Sequence, residues 1–318
     1  MSKIRIGFIG CGGRNRRGHM RHINEFDDVE MVAVCDVVEN ARIAAGDEYG
    51  IKNRFGNIDE MLEADLVDAV VIATPPHLNA KAAKPCLEKG IDTLLEKPPG
   101  MSLSETRELR DIARRSGAKG MVGFQRRFHP MVVEARRMIA ERGPVTQVLG
   151  EFHKSMTSAE TAKDWPEELL DNVIYETPIH AIDLVRAVAD SEVIEIHSAV
   201  RRAVSSHKDV HAAMVIFENG CIAQIVANYT GPARLQRYEF HGRDISTYLT
   251  GIQEGYALTN EGRIELEDPV GSGGGIELDR FFVDSIKNNR DIVSPAANLD
   301  EAVKTMELID GILKGLRD

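Results

Sequence analysis

The sequence predicts an α/β protein, in which a doubly wound parallel sheet is followed by an α+β domain with a large, mostly antiparallel open sheet. Three observations support this prediction. The 318 residues are enough for two domains. The first 124 residues alternate short β-branched runs with helical patterns, as βαβ units do. Residues 193–266 read instead as consecutive strands. We therefore predict domains of residues 1–124 and 125–318.

The first domain is predicted to hold six strands with helices between them. The strands are Ile4–Ile9, Met31–Cys35, Asn53–Phe55, Ala69–Thr74, Asp92–Glu96 and Lys119–Phe124. One helix is expected to begin near Ser102, because Ser102 and Glu105 have the spacing of a capping box. This order of elements is typical of a parallel sheet with helices on both faces.

The second domain begins with helices and continues with strands. Helices are predicted after Pro130 and after Thr177-Pro178, and the polar stretch Met156–Trp165 is predicted to be irregular. The predicted strands are Val145–Phe152, Ile194–Ala203, Val210–Phe217, Cys221–Tyr229 and Tyr238–His241. Glu218-Asn219-Gly220 signals a hairpin turn between two of them. Two amphipathic helices, Ile276–Lys287 and Asn298–Leu316, close the chain.

The composition excludes several classes of protein. With 39 Lys and Arg against 50 Asp and Glu, the formal charge of −11 argues against a general nucleic-acid partner, which needs a basic surface. No apolar run approaches the ~20 residues that span a bilayer, and no signal peptide is evident, so we expect no membrane partner. The four cysteines form no C-x-x-C pair and suggest neither disulfides nor a zinc site. A reducing cytoplasm is the simplest location.

A glycine-rich turn follows the first predicted strand. Gly10, Gly12 and Gly13 allow a tight turn that brings backbone N–H groups to a pyrophosphate at a helix N-terminus, as in a Rossmann dinucleotide site. Asn15 stands where the third glycine of the fingerprint would be. A plain glycine turn is the alternative, but Asp36 at the end of the second strand is placed to bind ribose hydroxyls.

The cofactor is predicted to be NAD, with NADP as the alternative. Asp36 would repel a 2′-phosphate, whereas Arg14, Arg16 and Arg17 form a local basic cluster that could bind one. A solvated helix face or attraction to the pyrophosphate would explain the same arginines. We therefore favour NAD.

The ends of later strands should meet the same cofactor, because ligands of open α/β sheets bind outside the carboxyl ends of the strands. Lys97 follows the fifth strand, where it could hydrogen-bond a substrate hydroxyl, although a surface ion pair with Glu96 is the plain alternative. Pro98 is a candidate for a cis peptide bond. The predicted cofactor-binding residues are Gly10, Gly12, Gly13, Arg14, Asn15, Asp36, Thr74, Pro75, His77, Glu96, Lys97, Gln125 and Arg126.

A second group of candidate residues precedes a helix of the second domain. Thr177 and Pro178 suit the N-cap and first helical positions, which places Glu176 just before the helix and His180 in its first turn. Histidine suits proton transfer at neutral pH, and Glu176 could orient it. The alternative is that His180 is a core or interface residue whose hydrogen bonds are made within the protein and which has no part in catalysis.

These motifs, taken in order, resemble the Gfo/Idh/MocA oxidoreductase family. The resemblance rests on Gly10-Cys11-Gly12-Gly13-Arg14, on Glu96-Lys97-Pro98, and on a carboxylate four residues before His180. It extends over nearly the whole chain, through the segments 123–128 and 281–286. It implies a nicotinamide cofactor in the first domain and a sugar or cyclitol polyol in the second. It also implies that Lys97 contacts both ligands and that His180 is the acid/base.

Three positions depart from the family pattern. Asn172 and Glu176 stand where the family has Gly and Asp, and Gln125 stands where members often have Asn near the nicotinamide. The longer arm of Glu moves the carboxylate by about one methylene, and ~1 Å of misplacement can cost of order a hundredfold in rate. We therefore expect an altered choice of substrate.

The predicted reaction is reversible oxidation of a secondary carbinol, with Lys97, His180 and Glu176 as the catalytic residues. The alternatives are a glycosidase that uses NAD for transient oxidation, and a non-catalytic nucleotide-sensing regulator. The predicted substrate contacts are Lys97, Arg127, His153, Trp165, Glu176 and His180. No metal is predicted, because His19 and His22 lie in the presumed pyrophosphate helix and lack a nearby carboxylate cluster. The open sheet predicts a homodimer or homotetramer.

Overall fold

Six parallel strands form the sheet of the first unit. They are β1 (Ile4–Ile9), β2 (Val29–Cys35), β3 (Asn53–Phe55), β4 (Ala69–Ile72), β5 (Asp92–Leu95) and β6 (Gly120–Val122). Their order is β6-β5-β4-β1-β2-β3, and a short strand, Ala297–Asn298, pairs antiparallel with β6. This is the strand order of the Rossmann fold, so the predicted doubly wound sheet is confirmed.

The computed structural model describes residues 3–161, 165–251 and 253–317. Helices of the first unit connect parallel strands, and their bounds are Met20–Ile23, Glu39–Tyr49, Ile58–Glu63, Asn79–Glu88 and Leu103–Ser116. The last of these begins as predicted, because the Ser102 hydroxyl accepts a hydrogen bond from the Glu105 N–H at 3.2 Å. A π-helical turn, Asn15–His19, leads into the first helix.

Eight strands form the sheet of the second unit. They are β7 (Gln147–Ser155), β8 (Val193–Arg201), β9 (Val210–Phe217), β10 (Ile222–Asn228), β11 (Thr230–Gly242), β12 (Ile245–Thr250), β13 (Glu254–Thr259) and β14 (Gly262–Leu266). Their order is β14-β13-β12-β11-β7-β10-β9-β8, and of the pairs in that order only β7 with β10 is parallel. The predicted mostly antiparallel sheet is confirmed.

One face of this sheet is covered by the helix Ile179–Ala189. A Cβ on Gly150 of β7 would lie 2.8 Å from Val185 Cγ2, so the strand needs glycine where the helix crosses it. The opposite face carries alternate side chains such as Met214 and Ile222, which are about 40% exposed. The remaining helices in residues 126–273 are Pro130–Ala140, Met156–Glu160 and Glu167–Leu170.

Most elements differ from their predicted bounds by one to three residues, and two differ by more. β11 has 13 residues where the sequence predicted only Tyr238–His241. Its first half contains Gly231 and Pro232, which break the strand pattern, and the register with β7 shifts between Thr230 and Leu235 to accommodate them. Within the stretch predicted to be irregular, Met156–Glu160 is helical, because Met156 and Ala159 pack into a buried cluster with Tyr229.

The two compact units divide the chain differently from the predicted domains. The first unit consists of Met1–Gln125 and Gly274–Val303, and the second of Arg126–Gly273 and Lys304–Asp318. The first boundary lies one residue beyond the predicted one. The segment 274–303, predicted within the second domain, belongs to the first unit, since its helix Gly275–Lys287 packs on the helix that follows the glycine turn. The chain ends with the helix Leu299–Leu313.

Candidate active site

The glycine turn after β1 fits a dinucleotide. Gly10 has a φ of +82°, and a Cβ there would lie 2.5 Å from the carbonyl oxygen of Ala73, so the position requires glycine. A Cβ on Gly12 would meet no atom within 4 Å, which leaves the backbone open to a ligand. The first N–H groups of the following helix have no acceptor within the helix and attract anions.

Asn15 has a structural reason for replacing the third glycine. Its side chain is fully buried, and Nδ2 donates to the carbonyl oxygens of Gly10 at 2.8 Å and Ile9 at 3.2 Å. Asn15 therefore ties the helix to the end of β1, in place of the close packing that glycine permits. Its predicted direct contact with the cofactor stays a prediction.

Asp36 lies against the glycine turn, as the NAD prediction requires. One carboxylate oxygen accepts the Cys11 N–H at 2.7 Å and the other accepts the Val38 N–H at 2.8 Å. Two of the three arginines that follow the glycine turn have carboxylate partners of their own: Arg16 pairs with Glu48 at 3.0 Å and Arg14 with Glu96. This arrangement favours ribose hydroxyls over a 2′-phosphate.

The ends of β4 and β5 are joined by a residue that the sequence analysis missed. Asn79 is 1% exposed; its Oδ1 accepts the Thr74 hydroxyl at 2.8 Å, and its Nδ2 donates to the carbonyl oxygens of Glu96 and Pro98. The Lys97–Pro98 peptide is cis, as predicted. Lys97 itself is half-buried, whereas Pro75 and His77 are exposed.

Glu96 is the centre of a buried charge network. Its carboxylate accepts from Arg14 at 2.5 Å and contacts His19 Nε2 at 3.1 Å. Burial opposes the charged form of Glu96, but the charges of Arg14 and His19 outweigh burial and lower the pKa of this carboxyl. Arg14 also donates to the side chain of Gln125. The network thus holds the glycine turn to the strand end that carries Lys97.

His19 has a second carboxylate partner from the helix Gly275–Lys287. Asp279 is fully buried and lies 2.6 Å from His19 Nδ1 and 2.7 Å from His22 Nδ1. Burial alone would lower the pKa of His19, but Asp279 and Glu96 raise it to about 9. The prediction that His19 and His22 lack nearby carboxylates is therefore wrong, because Asp279 contacts both histidines and Glu96 contacts His19. The described ranges nevertheless contain no group of three or more residues arranged to hold a metal ion.

In the second unit, three side chains hold the Glu176 carboxylate. Lys154 Nζ lies 3.1 Å from Oε2, the Tyr229 hydroxyl lies 3.3 Å from it, and the Thr177 hydroxyl donates to it. The predicted N-cap role of Thr177 is therefore wrong. The helix begins at Ile179 with Pro178 at its N-cap, and the Thr177 hydroxyl is bonded to Glu176. Burial raises the pKa of Tyr229 well above its usual range, and Glu176 adds to this effect.

His180 is the second residue of the helix and is 6% exposed. Its backbone N–H donates to the Thr177 carbonyl oxygen at 3.0 Å, which places its side chain in the first turn as predicted. One turn further on, Asp183 forms a buried ion pair with Arg127 at 2.7 Å and accepts the Thr305 hydroxyl at 2.9 Å. Arg127, predicted as a pocket residue, is thus bound into the interior, and we leave it out of the proposed site.

The remaining predicted contacts differ in environment. Trp165 is half-buried and packs on the cluster around Tyr229, with Lys154 Nζ 5.2 Å from its ring centroid. His153 neighbours Lys154 on β7, so its side chain points to the opposite face of the sheet. We therefore leave His153 out of the proposed site as well. Arg126 lies in the second unit, 4% exposed, against the Tyr238 hydroxyl.

Sequence reasoning missed Lys154 and Tyr229. Neither belongs to a motif, and each reaches Glu176 only through the folding of the sheet, from positions 22 and 53 residues away in sequence. The alternation of β7 could have placed Lys154 on the covered face, but not beside a particular carboxylate.

A Rossmann sheet with this glycine turn is typical of a dinucleotide-binding protein. Residues 4–124 match the family description "Oxidoreductase family, NAD-binding Rossmann fold", and residues 132–247 match "GFO/IDH/MocA C-terminal domain". The chain belongs to the Gfo/Idh/MocA oxidoreductase family. It is an oxidoreductase with an NAD-binding Rossmann domain.

Similar proteins extend over most of the chain. A 4-carboxy-2-hydroxymuconate-6-semialdehyde dehydrogenase of Sphingobium sp. is 23% identical over 95% of this chain and 96% of its own length. A scyllo-inositol 2-dehydrogenase (NAD(+)) of Bacillus subtilis is 24% identical over 79% and 72%. The structure of GenD2 from gentamicin A biosynthesis, solved with NAD, covers 99% of this chain and 94% of GenD2, with a TM-score of 0.80 and 21% identity.

Proposed function

We propose that the protein transfers a hydride reversibly between NAD and a secondary carbinol of a sugar, cyclitol or related polyol. The observation that carries this proposal is the Glu176 carboxylate, held by Lys154 and Tyr229 at the start of the helix that bears His180. A held carboxylate before a histidine is suited to proton transfer from a hydroxyl. The names of the inositol and sugar dehydrogenases among the relatives support the same substrate class.

Each residue has one role in the proposed reaction. The carbinol O–H bond breaks and its proton passes to His180, while Glu176 orients the imidazole. Lys97 donates a hydrogen bond to the carbinol oxygen as the C=O bond forms. Bound NAD would supply the acceptor for the hydride of the carbinol carbon. The backbone of the glycine turn and Asp36 bind the dinucleotide, and the Glu96 network keeps the turn in place.

A panel of sugars, cyclitols and their keto forms tests the proposal. Each compound is incubated with NAD and, separately, with NADP, and NADH or NADPH is followed by absorbance. We expect turnover with NAD and at least one polyol. Turnover with NADP alone would overturn the role of Asp36. Release of an alcohol from a glycoside without net NADH would identify the glycosidase instead, and cofactor binding without any turnover would identify the regulator.

We further propose that the protein is a homo-oligomer in the cytoplasm. The partly exposed apolar side chains on the second sheet, such as Met214 and Ile222, support a subunit contact there. All four cysteines are free, which fits a reducing compartment. In the described part of the chain no helix is both long and apolar enough to cross a bilayer. Light scattering coupled to gel filtration measures the oligomeric state, and a monomer would contradict it.

A further inference from the structure

Basic side chains collect on the covered face of the second sheet. Lys154 lies on this face of β7, in line with Gly150 and Phe152. Across the β7–β11 pair, Gln236 is opposite Phe152 and Tyr238 is opposite Gly150. Arg234 precedes them on β11, with its guanidinium carbon 5.6 Å from the Phe152 ring centroid. Arg126 lies against the Tyr238 hydroxyl on the same face. We call Arg126, Lys154 and Arg234 the basic cluster.

The basic cluster extends to the proposed site. The Tyr229 hydroxyl contacts Glu176 and is within reach of the charge of Arg234. The Tyr238 hydroxyl is within reach of both Arg126 and Arg234, and burial raises its pKa. Arg234, Lys154 and Glu176 are therefore neighbours in one electrostatic environment, on the side of the sheet that the helix Ile179–Ala189 covers.

The charged side chains near the proposed site differ in their partners. Arg127 and Asp183 are buried and form an ion pair at 2.7 Å. Lys154 is matched by Glu176 at 3.1 Å. Arg234 forms no ion pair with any residue within the described ranges. Arg234 is exposed, so its guanidinium is accessible to a ligand.

Gln236 adds an independent observation. It lies between Arg234 and Tyr238 along the same face of β11 and is 6% exposed. Its buried Oε1 has no hydrogen-bond partner in the part of the chain that the structure describes. A buried polar atom without a partner costs about 1–3 kcal/mol, so a ligand hydroxyl that donated to Oε1 would recover that cost.

We propose that the substrate carries an anionic group, a carboxylate or a phosphate, in addition to the carbinol, and that Arg234 binds it. Lys154 adds positive charge from its place beside Glu176, and Gln236 accepts a hydrogen bond from a substrate hydroxyl. Arginine suits this task because its planar fork matches the oxygens of both anions. The inference rests on the proposed function and narrows its substrates to acidic sugars and polyols.

Matched substrates test the inference. A uronate, the corresponding neutral aldose and the corresponding sugar phosphate are compared by kcat/KM with NAD. We expect at least one anionic substrate to exceed the neutral one by about tenfold or more, as one charge-assisted hydrogen bond provides. The uronate and phosphate arms separate the two sources of negative charge.

Arg234→Gln then identifies the residue responsible. This variant should lose about tenfold in kcat/KM for the anionic substrate, mostly through KM, and almost nothing for the neutral one. Arg237→Gln is the control, because Arg237 is exposed on the opposite face of the same strand, 3.0 Å from Glu151. It should keep the preference.

The outcomes separate this inference from the proposed function. Turnover of neutral polyols without any preference for anions would overturn the inference and leave the proposed function standing. An anion preference that survives in Arg234→Gln would overturn the assignment of Arg234. No turnover with any neutral or anionic member would overturn the proposed function and the inference with it.

Discussion

The two units each contain a glutamate held by a cation, but Glu96 and Glu176 are held in different ways. The side chain of Glu96 is 5% exposed, and its partner His19 is itself backed by the fully buried Asp279. Glu176 is 16% exposed, and its partner Lys154 is 26% exposed. In the first unit the charges of Glu96, His19 and Asp279 are all buried and paired with one another. The network in the second unit remains open to a ligand.

This difference indicates different uses for the same side chain. A closed network of buried charges fixes geometry, and removal of one member leaves another charge buried without its partner. A carboxylate at a partly open position costs little to alter structurally but can position a reacting group. We therefore expect changes around Glu96 to act on stability and changes around Glu176 to act on turnover.

The largest effect is expected from Asp279→Asn. The change removes the charge that balances His19 and should lower the free energy of unfolding by about 3–5 kcal/mol. Urea unfolding followed by circular dichroism measures this loss. Asp284→Asn, on the exposed side of the same helix, is the control and should cost less than about 1 kcal/mol. Equal losses in both variants would contradict the closed network.

The pH dependence of stability gives the next effect. His19 has a pKa of about 9 in the folded protein against about 6.5 when unfolded, so its protonation stabilises the fold. This stabilisation, roughly 3 kcal/mol, is complete below about pH 6.5 and is lost as the pH rises through about 9. Unfolding at a series of pH values measures it. His19→Gln should flatten that alkaline slope, and an unchanged slope would contradict the assignment to His19.

Glu176→Gln is expected to lower turnover rather than stability. It keeps the shape of the side chain but removes the charge that would orient His180, and kcat/KM should fall about a hundredfold. Stability should change by less than about 1 kcal/mol, because Glu176 is partly exposed. Steady-state rates and thermal melts are measured on the same sample. A large fall in the melting temperature with normal rates would show that Glu176 is structural.

Lys154→Met should have the smallest effect. The loss of one partner of Glu176 should lower kcat/KM about tenfold, since Tyr229 and Thr177 still hold the carboxylate. Lys154→Arg should recover most of the activity. A Lys154→Met variant with normal rates on every substrate would remove Lys154 from the site.

The sequence was sufficient for the elements whose pattern is local. β1 begins and ends where its hydrophobic run predicted, β3 has its predicted bounds, and the hairpin at Glu218–Gly220 lies between β9 and β10 as expected. β11 was underestimated because its first half contains Gly231 and Pro232, and only pairing with β7 extends it. Local pattern does not show which neighbours a strand will gain.

The candidate site was predictable where a motif carries it and not where contacts are long-range. The glycine turn, Asp36 and the cis Lys97–Pro98 peptide follow from short patterns. Asp279 contacts His19 from 260 residues away in the sequence, and no local spacing predicts that contact. The same holds for Arg127, whose partner Asp183 is 56 residues distant and takes the arginine out of the proposed site.

Lys97→Ala tests the central claim most directly, because it separates catalysis from cofactor binding. Turnover of the best polyol and the dissociation constant for NAD, from fluorescence titration, are measured on the same preparation. We expect turnover to be abolished while NAD affinity stays within about twofold, since the glycine turn and Asp36 remain. Near-normal turnover would contradict the role of Lys97 in hydride transfer from a carbinol.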